Sequence, residues 1–235
     1  MALLSKEDIE FLRDKFAEEL NKKITLFYFG KADSKLVIPG NKPNNTECQY
    51  CEITHQLVEE LSSLTDKIES KSFDLDEDEE VSKRYGIRMI PAIVLLVEGE
   101  DKGIRYYGIP SGHEFGGMVE TIIELSSETG GKLSSESLNA LSRLDIPISI
   151  DVYITPTCPY CPTAVMTAHR MAMASEYITS NMIEANEFPA LSTQNNVYSV
   201  PHITVNGMYA FVGALPEKEF VSGVINTVME SIRDK

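Results

Sequence analysis

The chain has 235 residues, 21 of them basic and 36 acidic, and a formal net charge of −15, which argues against nucleic acid or an anionic membrane as the main partner. Hydrophobic residues make up 43% of the chain and charged residues 24%, which is typical of a globular protein and excludes disordered, collagen-like and low-complexity classes. No apolar stretch approaches the roughly 20 residues that span a bilayer, and the N-terminus is charged too early for a signal peptide, so we expect a cytoplasmic protein.

The first half of the chain predicts alternating helices and strands. Ser5 and Asp8 are spaced as in a capping box, and apolar residues at helical spacing follow up to Leu20. A short apolar run over residues 24–29 predicts a strand that is covered on both faces. The remaining predicted elements are a helix after the cysteines at 48 and 51, strands over 71–75, 92–97 and 104–107, and a helix over 114–125.

The second half predicts the same order of elements. It follows a Ser/Gly-rich stretch, residues 126–137, in which we expect the junction between two units. Helices are predicted over residues 138–144, 162–175 and 217–232, and strands over 148–154, 178–183, 202–205 and 209–212. We therefore divide the chain into one unit of residues 1–127 and another of residues 128–235.

The four cysteines form two C-x-x-C pairs, Cys48 with Cys51 and Cys158 with Cys161. In a cytosolic chain of this size such pairs indicate metal binding or redox chemistry. Zinc ribbons place their two pairs about 15–20 residues apart, whereas these pairs lie in different halves of the chain, and no nearby histidine or cysteine supplements either one. The spacing therefore favours redox chemistry, and we expect no metal site.

The two halves also match each other as an internal repeat. The shift that places Cys48 over Cys158 also superposes Cys51 on Cys161 and Ile90-Pro91-Ala92-Ile93 on Val200-Pro201-His202-Ile203. From the first cysteine to the proline the two halves align without a gap. The differences in length fall in turns and loops, as expected of a duplicated domain.

Each C-x-x-C pair follows a predicted strand and opens a predicted helix. The unpaired N–H groups and the dipole at a helix N-terminus favour an anion, and therefore a thiolate, at the first cysteine. A thiolate attacks disulfides, and a second cysteine one helical turn further on can attack the resulting mixed disulfide and release the product. The pattern thus indicates thiol–disulfide exchange.

C-P-Y-C after a strand is the glutaredoxin signature, and the isolated prolines at 91 and 201 stand where thioredoxin folds have a cis-proline. With a C-x-x-C pair and such a proline in each half, the chain resembles, over nearly its whole length, the glutaredoxin-like protein disulfide oxidoreductases of thermophilic archaea and bacteria. The resemblance implies an α/β fold of two tandem thioredoxin-like domains, each a central mixed β-sheet flanked by helices.

The resemblance also implies roles for particular residues. Cys48 and Cys158 would be the attacking thiols, and Cys51 and Cys161 the resolving thiols. The substrate chain would pair with the backbone beside two cis-prolines. These substrate-binding residues would be Ile90, Pro91, Val200 and Pro201.

The implied function is reduction, oxidation or isomerisation of protein disulfides, as part of cell redox homeostasis. No Gly-rich loop follows a strand, so we expect no bound cofactor, and electrons would come from a partner such as a thioredoxin-reductase-like flavoprotein.

One alternative is a dedicated electron shuttle to a peroxidase. The similar N-terminal module of alkyl hydroperoxide reductase flavoproteins normally keeps only one C-x-x-C, which argues against it. Another alternative is a non-catalytic binding or chaperone module with structural cysteines.

The two motifs are not equivalent. C-Q-Y-C is less typical than C-P-Y-C, and a long loop over residues 31–47 precedes Cys48. We therefore expect the second site to be the principal one. Asp151 lies one residue from the place of the buried acid in thioredoxins, so its side chain is expected to point elsewhere, and we do not assign it to the site.

Overall fold

The fold is taken from a computed structural model, which describes residues 3–31, 48–128 and 130–233. The first half contains α1 (Lys6–Glu19), β1 (Ile24–Gly30), α2 (Cys51–Ser62), β2 (Ile68–Asp74), α3 (Glu79–Arg84), β3 (Ala92–Val97), β4 (Glu100–Tyr107) and α4 (His113–Ser126). The second half contains α5 (Ser135–Leu141), β5 (Ile148–Ile154), α6 (Cys161–Ala174), β6 (Ile178–Glu184), α7 (Pro189–Gln194), β7 (His202–Val205), β8 (Met208–Val212) and α8 (Glu217–Arg233). Both halves therefore have the same succession of elements.

The strands form one eight-stranded mixed sheet in the order β2-β1-β3-β4-β6-β5-β7-β8. Within each half the order is the same, and β3 and β7 run antiparallel to their neighbours. The halves join edge to edge, because Ile104–Tyr107 of β4 pairs in parallel with Ser180–Ile183 of β6. As β1, β4, β6 and β5 are parallel, the carboxyl ends of β1 and β5 lie at the same end of the sheet.

The predicted elements differ from the structure mainly at their boundaries. The strand predicted over residues 71–75 begins at Ile68, which is buried. The helix predicted over 138–144 begins at Ser135 because Ser134 caps it, its side chain accepting a hydrogen bond from Ser137 N. Helix α7 was not predicted, since six residues are too few for a helical period to be recognised. Most of the loop over residues 31–47 lies outside the described residues, and the proposed boundary at 127/128 lies between α4 and α5.

Side chains alternate between the two faces of the sheet and build a core on each. The larger core packs the strands against α1, α2, α4, α5, α6 and α8, and the smaller core packs them against α3 and α7. Tyr106 and Tyr107, adjacent on β4, enter opposite cores and are both buried. The ring of Tyr106 lies 5.0 Å from that of His169 on α6, so this side chain ties the two halves together. Among the described residues, no helix is both long and apolar enough to cross a membrane.

A test of this junction is Tyr106→Ala. Because Tyr106 is buried between the halves, we expect the substitution to lower the free energy of unfolding by about 3–5 kcal/mol. The matched control Tyr198→Ala removes a side chain that is 89% exposed and should change it by about 0.5 kcal/mol or less. Urea unfolding followed by circular dichroism measures both. Equal effects of the two substitutions would contradict this account of the junction.

Candidate active site

The second C-x-x-C pair lies where β5 ends and α6 begins. Cys158 N donates to Thr155 O at 3.0 Å, which turns the chain towards the helix. Cys158 and Cys161 are disulfide-bonded, with Cα atoms 5.5 Å apart. Cys161 is fully buried in the first turn of α6, while Cys158 is 8% exposed. Pro162 follows, at a helix start where the N–H that proline lacks is not needed. The first cysteine is therefore the one that meets solvent.

The predicted prolines lie in two cis peptide bonds, Ile90–Pro91 and Val200–Pro201, as the resemblance implied. In the second half the Sγ atom of Cys158 lies 3.8 Å from the carbonyl oxygen of Val200. The carbonyl of each proline accepts a hydrogen bond from the glycine that follows the neighbouring strand. Gly108 N donates to Pro91 O at 2.9 Å, and Gly213 N donates to Pro201 O at 2.8 Å. The structure thus brings Val200 and Cys158 together, although they are distant in the sequence.

The first C-x-x-C pair has the same position in its half. Cys48 and Cys51 are disulfide-bonded with Cα atoms 5.3 Å apart, and α2 begins at Cys51. Cys51 is buried and Cys48 is half-buried. The hydroxyl of Tyr28 donates to the carbonyl oxygen of Cys51 at 2.8 Å, which fixes the start of the helix. Both motifs therefore place the outer cysteine towards solvent and the inner one in the core.

A cavity of about 400 Å³ lies beside the first pair. It is lined by Tyr28, Gly30, Lys31, Cys51, Glu52, His55, Ser72, Phe73, Asp74, Glu77 and Asp78. His55 Nε2 lies 2.9 Å from Ser72 Oγ, and its ring lies 4.9 Å from that of Tyr28. Four of the lining residues are acidic, Glu52, Asp74, Glu77 and Asp78, and the inner cysteine of the pair forms part of the wall.

A buried acid that was not predicted from the sequence lies close to the start of α6. Glu114 belongs to α4 of the first half, is 1% exposed, and neither of its carboxylate oxygens has a hydrogen-bond partner among the described residues. A Cβ atom placed on Gly117 would lie 3.8 Å from Glu114 Oε2 and 3.3 Å from Pro162 Cβ, so the carboxyl lies close to the start of α6. Burial raises the pKa of Glu114 to about 8. The sequence signal that could have identified Glu114 is an acidic residue on the apolar face of a predicted helix.

Asp151, by contrast, is engaged elsewhere. Its carboxylate lies 2.9 Å from Arg88 Nη2 and 2.7 Å from Asn181 Nδ2, and the guanidinium also lies 5.5 Å from the ring of Tyr107. Its side chain therefore forms a polar link between the halves rather than part of the cysteine site, as the sequence analysis expected.

Three comparisons place this geometry among known proteins. A thioredoxin-domain family model matches residues 148–226. The protein disulfide oxidoreductase of Aeropyrum pernix K1 superposes with a TM-score of 0.80 at 28% identity, over 94% of this chain and 91% of that one. An N-terminal domain of alkyl hydroperoxide reductase from Enterococcus faecalis superposes with a TM-score of 0.81 at 26% identity, over 94% and 99% of the two chains.

The curated relatives are longer proteins. The chain is 28% identical over 166 residues to an alkyl hydroperoxide reductase of Staphylococcus aureus, which covers 68% of this chain and 32% of that protein. It therefore spans about a third of the length of that relative. A second relative, named NADH dehydrogenase, from Bacillus subtilis (strain 168), is 27% identical over 151 residues, which cover 64% of this chain and 27% of that protein. With one continuous sheet, two helix-capping C-x-x-C disulfides and two structural neighbours of nearly full length, the predicted resemblance to tandem thioredoxin-fold protein disulfide oxidoreductases is confirmed.

Proposed function

We propose that the chain catalyses thiol–disulfide exchange on protein disulfides and dithiols at both C-x-x-C pairs. The observation that carries the proposal is the arrangement of the second pair. There a redox-capable disulfide opens a helix, its inner sulfur is buried, and its outer sulfur lies 3.8 Å from the carbonyl that precedes a cis-proline. A substrate disulfide can approach the outer sulfur only from the solvent side.

In the reductive direction the protein starts as a dithiol. The thiolate of Cys158 attacks one substrate sulfur, a mixed disulfide forms, and the other substrate sulfur leaves as a thiolate. Cys161 then loses its proton and attacks Cys158 Sγ, which releases the substrate dithiol and leaves the protein disulfide. Two electrons pass to the substrate, and the reverse sequence donates a disulfide. Cys48 and Cys51 would react in the same way.

We propose that Glu114 holds the proton that Cys161 releases. The carboxyl has no competing hydrogen-bond partner among the described residues and lies close to the first turn of α6. An acid whose pKa is about 8 can accept and return a proton near neutral pH. The corresponding residue in the second half, Glu219, is exposed, so this arrangement occurs only at the second pair among the described residues.

The substrate and partners belong to the same proposal. The backbone of Ile90 and Val200 would pair with the substrate chain next to the disulfide that is attacked, with Pro91 and Pro201 shaping that edge. Electrons would come from a flavoprotein reductase. The relatives named alkyl hydroperoxide reductase and NADH dehydrogenase support such a partner. We place the reaction in the cytoplasm, where such thiols can cycle between both states.

A second candidate is a dedicated electron shuttle to a peroxidase. The near-complete superposition on a domain of alkyl hydroperoxide reductase favours it. Two intact C-x-x-C pairs favour the broader activity instead. A rate with one peroxidase far above the rate with unrelated protein disulfides would favour the shuttle.

Insulin reduction by single-site variants tests the main proposal. We expect Cys158→Ser to remove most of the activity, Cys48→Ser to remove a smaller part, and the double variant to be inactive. The reason is that the second pair combines the typical C-P-Y-C motif with the adjacent acid. If Cys158→Ser stayed near the original rate while Cys48→Ser lost all activity, the ranking of the sites would be wrong.

The burial of Glu114 predicts a pH effect on stability. Because its pKa is raised to about 8 in the folded chain, its contribution to folding is complete below the unfolded pKa near 4.5 and is lost as the pH rises through 8. We expect the free energy of unfolding of Glu114→Gln, relative to that of the original chain, to rise by on the order of 2–4 kcal/mol between pH 5 and pH 8. Urea unfolding at both pH values measures it. The exposed control Glu219→Gln should show no such gain, and a gain shared by both variants would refute the assignment.

A further inference from the structure

In the part of the chain that the structure describes, the edge strand β2 lacks a neighbour that its counterpart has. Among the described residues β2 pairs with β1 alone and ends the sheet. Its counterpart in the second half, β6, pairs on both sides, with β5 and with β4. The outer edge of β2 therefore corresponds to the edge of β6 on which a strand of the first half lies.

The edge of β6 that β4 covers shows what kind of segment can bind at such an edge. Beyond β4 the chain turns across the end of β6, and Ile109 N donates to Glu187 Oε1 at 2.8 Å. Gly108, with φ at +86°, passes so close that an added Cβ would lie 2.9 Å from the Glu187 Cδ atom. His113 N then donates at 3.1 Å to the carbonyl of Pro156, just before the second C-x-x-C pair. The occupant is thus a parallel strand followed by a glycine turn that donates to an acid.

The cavity beside Cys51 is the corresponding place in the first half. The shift that superposes the two C-x-x-C pairs relates Asp74 and Glu77, in the cavity wall, to Glu184 and Glu187. The local backbone agrees, because Glu77 N donates to Asp74 Oδ1 as Glu187 N donates to Glu184 Oε2. The first half therefore has the acid that would accept an N–H group.

We propose that this edge and cavity form a docking seat for an extended segment of a polypeptide substrate. The segment would add in parallel to β2, and the turn after it would enter the cavity and donate a backbone N–H to the carboxylate of Glu77. Four lining residues are acidic, Glu52, Asp74, Glu77 and Asp78, and one is Lys31, so segments of neutral or positive charge are favoured. This inference names a substrate class for the first site and rests on the proposed function.

A second copy of the chain fits the seat less well. Helix α4 of the first half packs against α6 of the second half, and the residues of α6 that face it are largely buried. The outward residues of α2 include Glu52 and Glu59, which are exposed and charged. Two chains of charge −15 also repel each other. A single strand with its turn therefore matches the seat better than a whole folded unit.

The chain itself supplies the probe for a binding test. A fluorescein-labelled peptide with the sequence of residues 103–112, GIRYYGIPSG, copies the segment that lies on β6. We expect saturable binding to the oxidised full-length protein by fluorescence anisotropy, weaker at high salt, and none for a scrambled peptide. Glu77→Gln should weaken binding about tenfold, because it removes the charge from one hydrogen-bond acceptor. The matched control Glu80→Gln changes an exposed acid outside the cavity wall and should leave binding unchanged.

Activity gives a second readout. The same peptide should inhibit insulin reduction by a Cys158→Ser/Cys161→Ser variant, which retains only the first site, and not by a Cys48→Ser/Cys51→Ser variant. Absence of saturable binding, or equal binding by the Glu77→Gln and Glu80→Gln variants, would overturn the inference. Self-association of the chain that the peptide fails to reverse would overturn it in favour of a second copy. Because the binding assay needs no turnover, intact binding without insulin reduction would refute the proposed function alone.

Discussion

The rest of the structure depends on the parallel pairing of β4 with β6. It joins two four-stranded sheets of the same order into one and aligns the carboxyl ends of β1 and β5 at one end. It also carries α4 across the junction to α6, which places Glu114 close to the start of α6, the helix that the second C-x-x-C pair opens. One strand pairing thus determines both the position of the two redox pairs and the surroundings of one of them.

The same pairing makes the two sites unequal. The edge of β6 is covered by the first half, which brings a buried carboxyl close to the start of α6, and the desolvation of this carboxyl is a cost to folding. The edge of β2 is not covered among the described residues, and the first pair borders a cavity with four acidic lining residues instead. We therefore attribute faster chemistry to the second site, through its proton-holding acid, and recognition of extended chains to the first. Buried groups that lower stability without a hydrogen-bond partner are typical of functional sites.

The features that could be predicted from the sequence are those set by local pattern. The cysteine pairs, the prolines at 91 and 201, and the apolar strand over residues 92–97 are local, and the structure has them where they were predicted. Whether the two sheets join edge to edge or face to face was not predictable, because any unpaired strand edge offers the same row of backbone groups. Glu114 was missed for a related reason, since the start of α6, to which it lies close, belongs to the other half. Likewise Arg88, the partner of Asp151, lies in the other half of the chain.

The central claim is that both C-x-x-C pairs are reactive dithiols with an outer nucleophile and a buried resolving cysteine. The most direct measurement is iodoacetamide labelling of the reduced, folded protein across a pH series, with each cysteine followed by mass spectrometry. We predict rapid labelling of Cys48 and Cys158 at pH values below the region near about 8.5 where an ordinary cysteine ionises, with Cys51 and Cys161 protected. Four unreactive cysteines, or faster labelling of the inner cysteine of either pair, would contradict it.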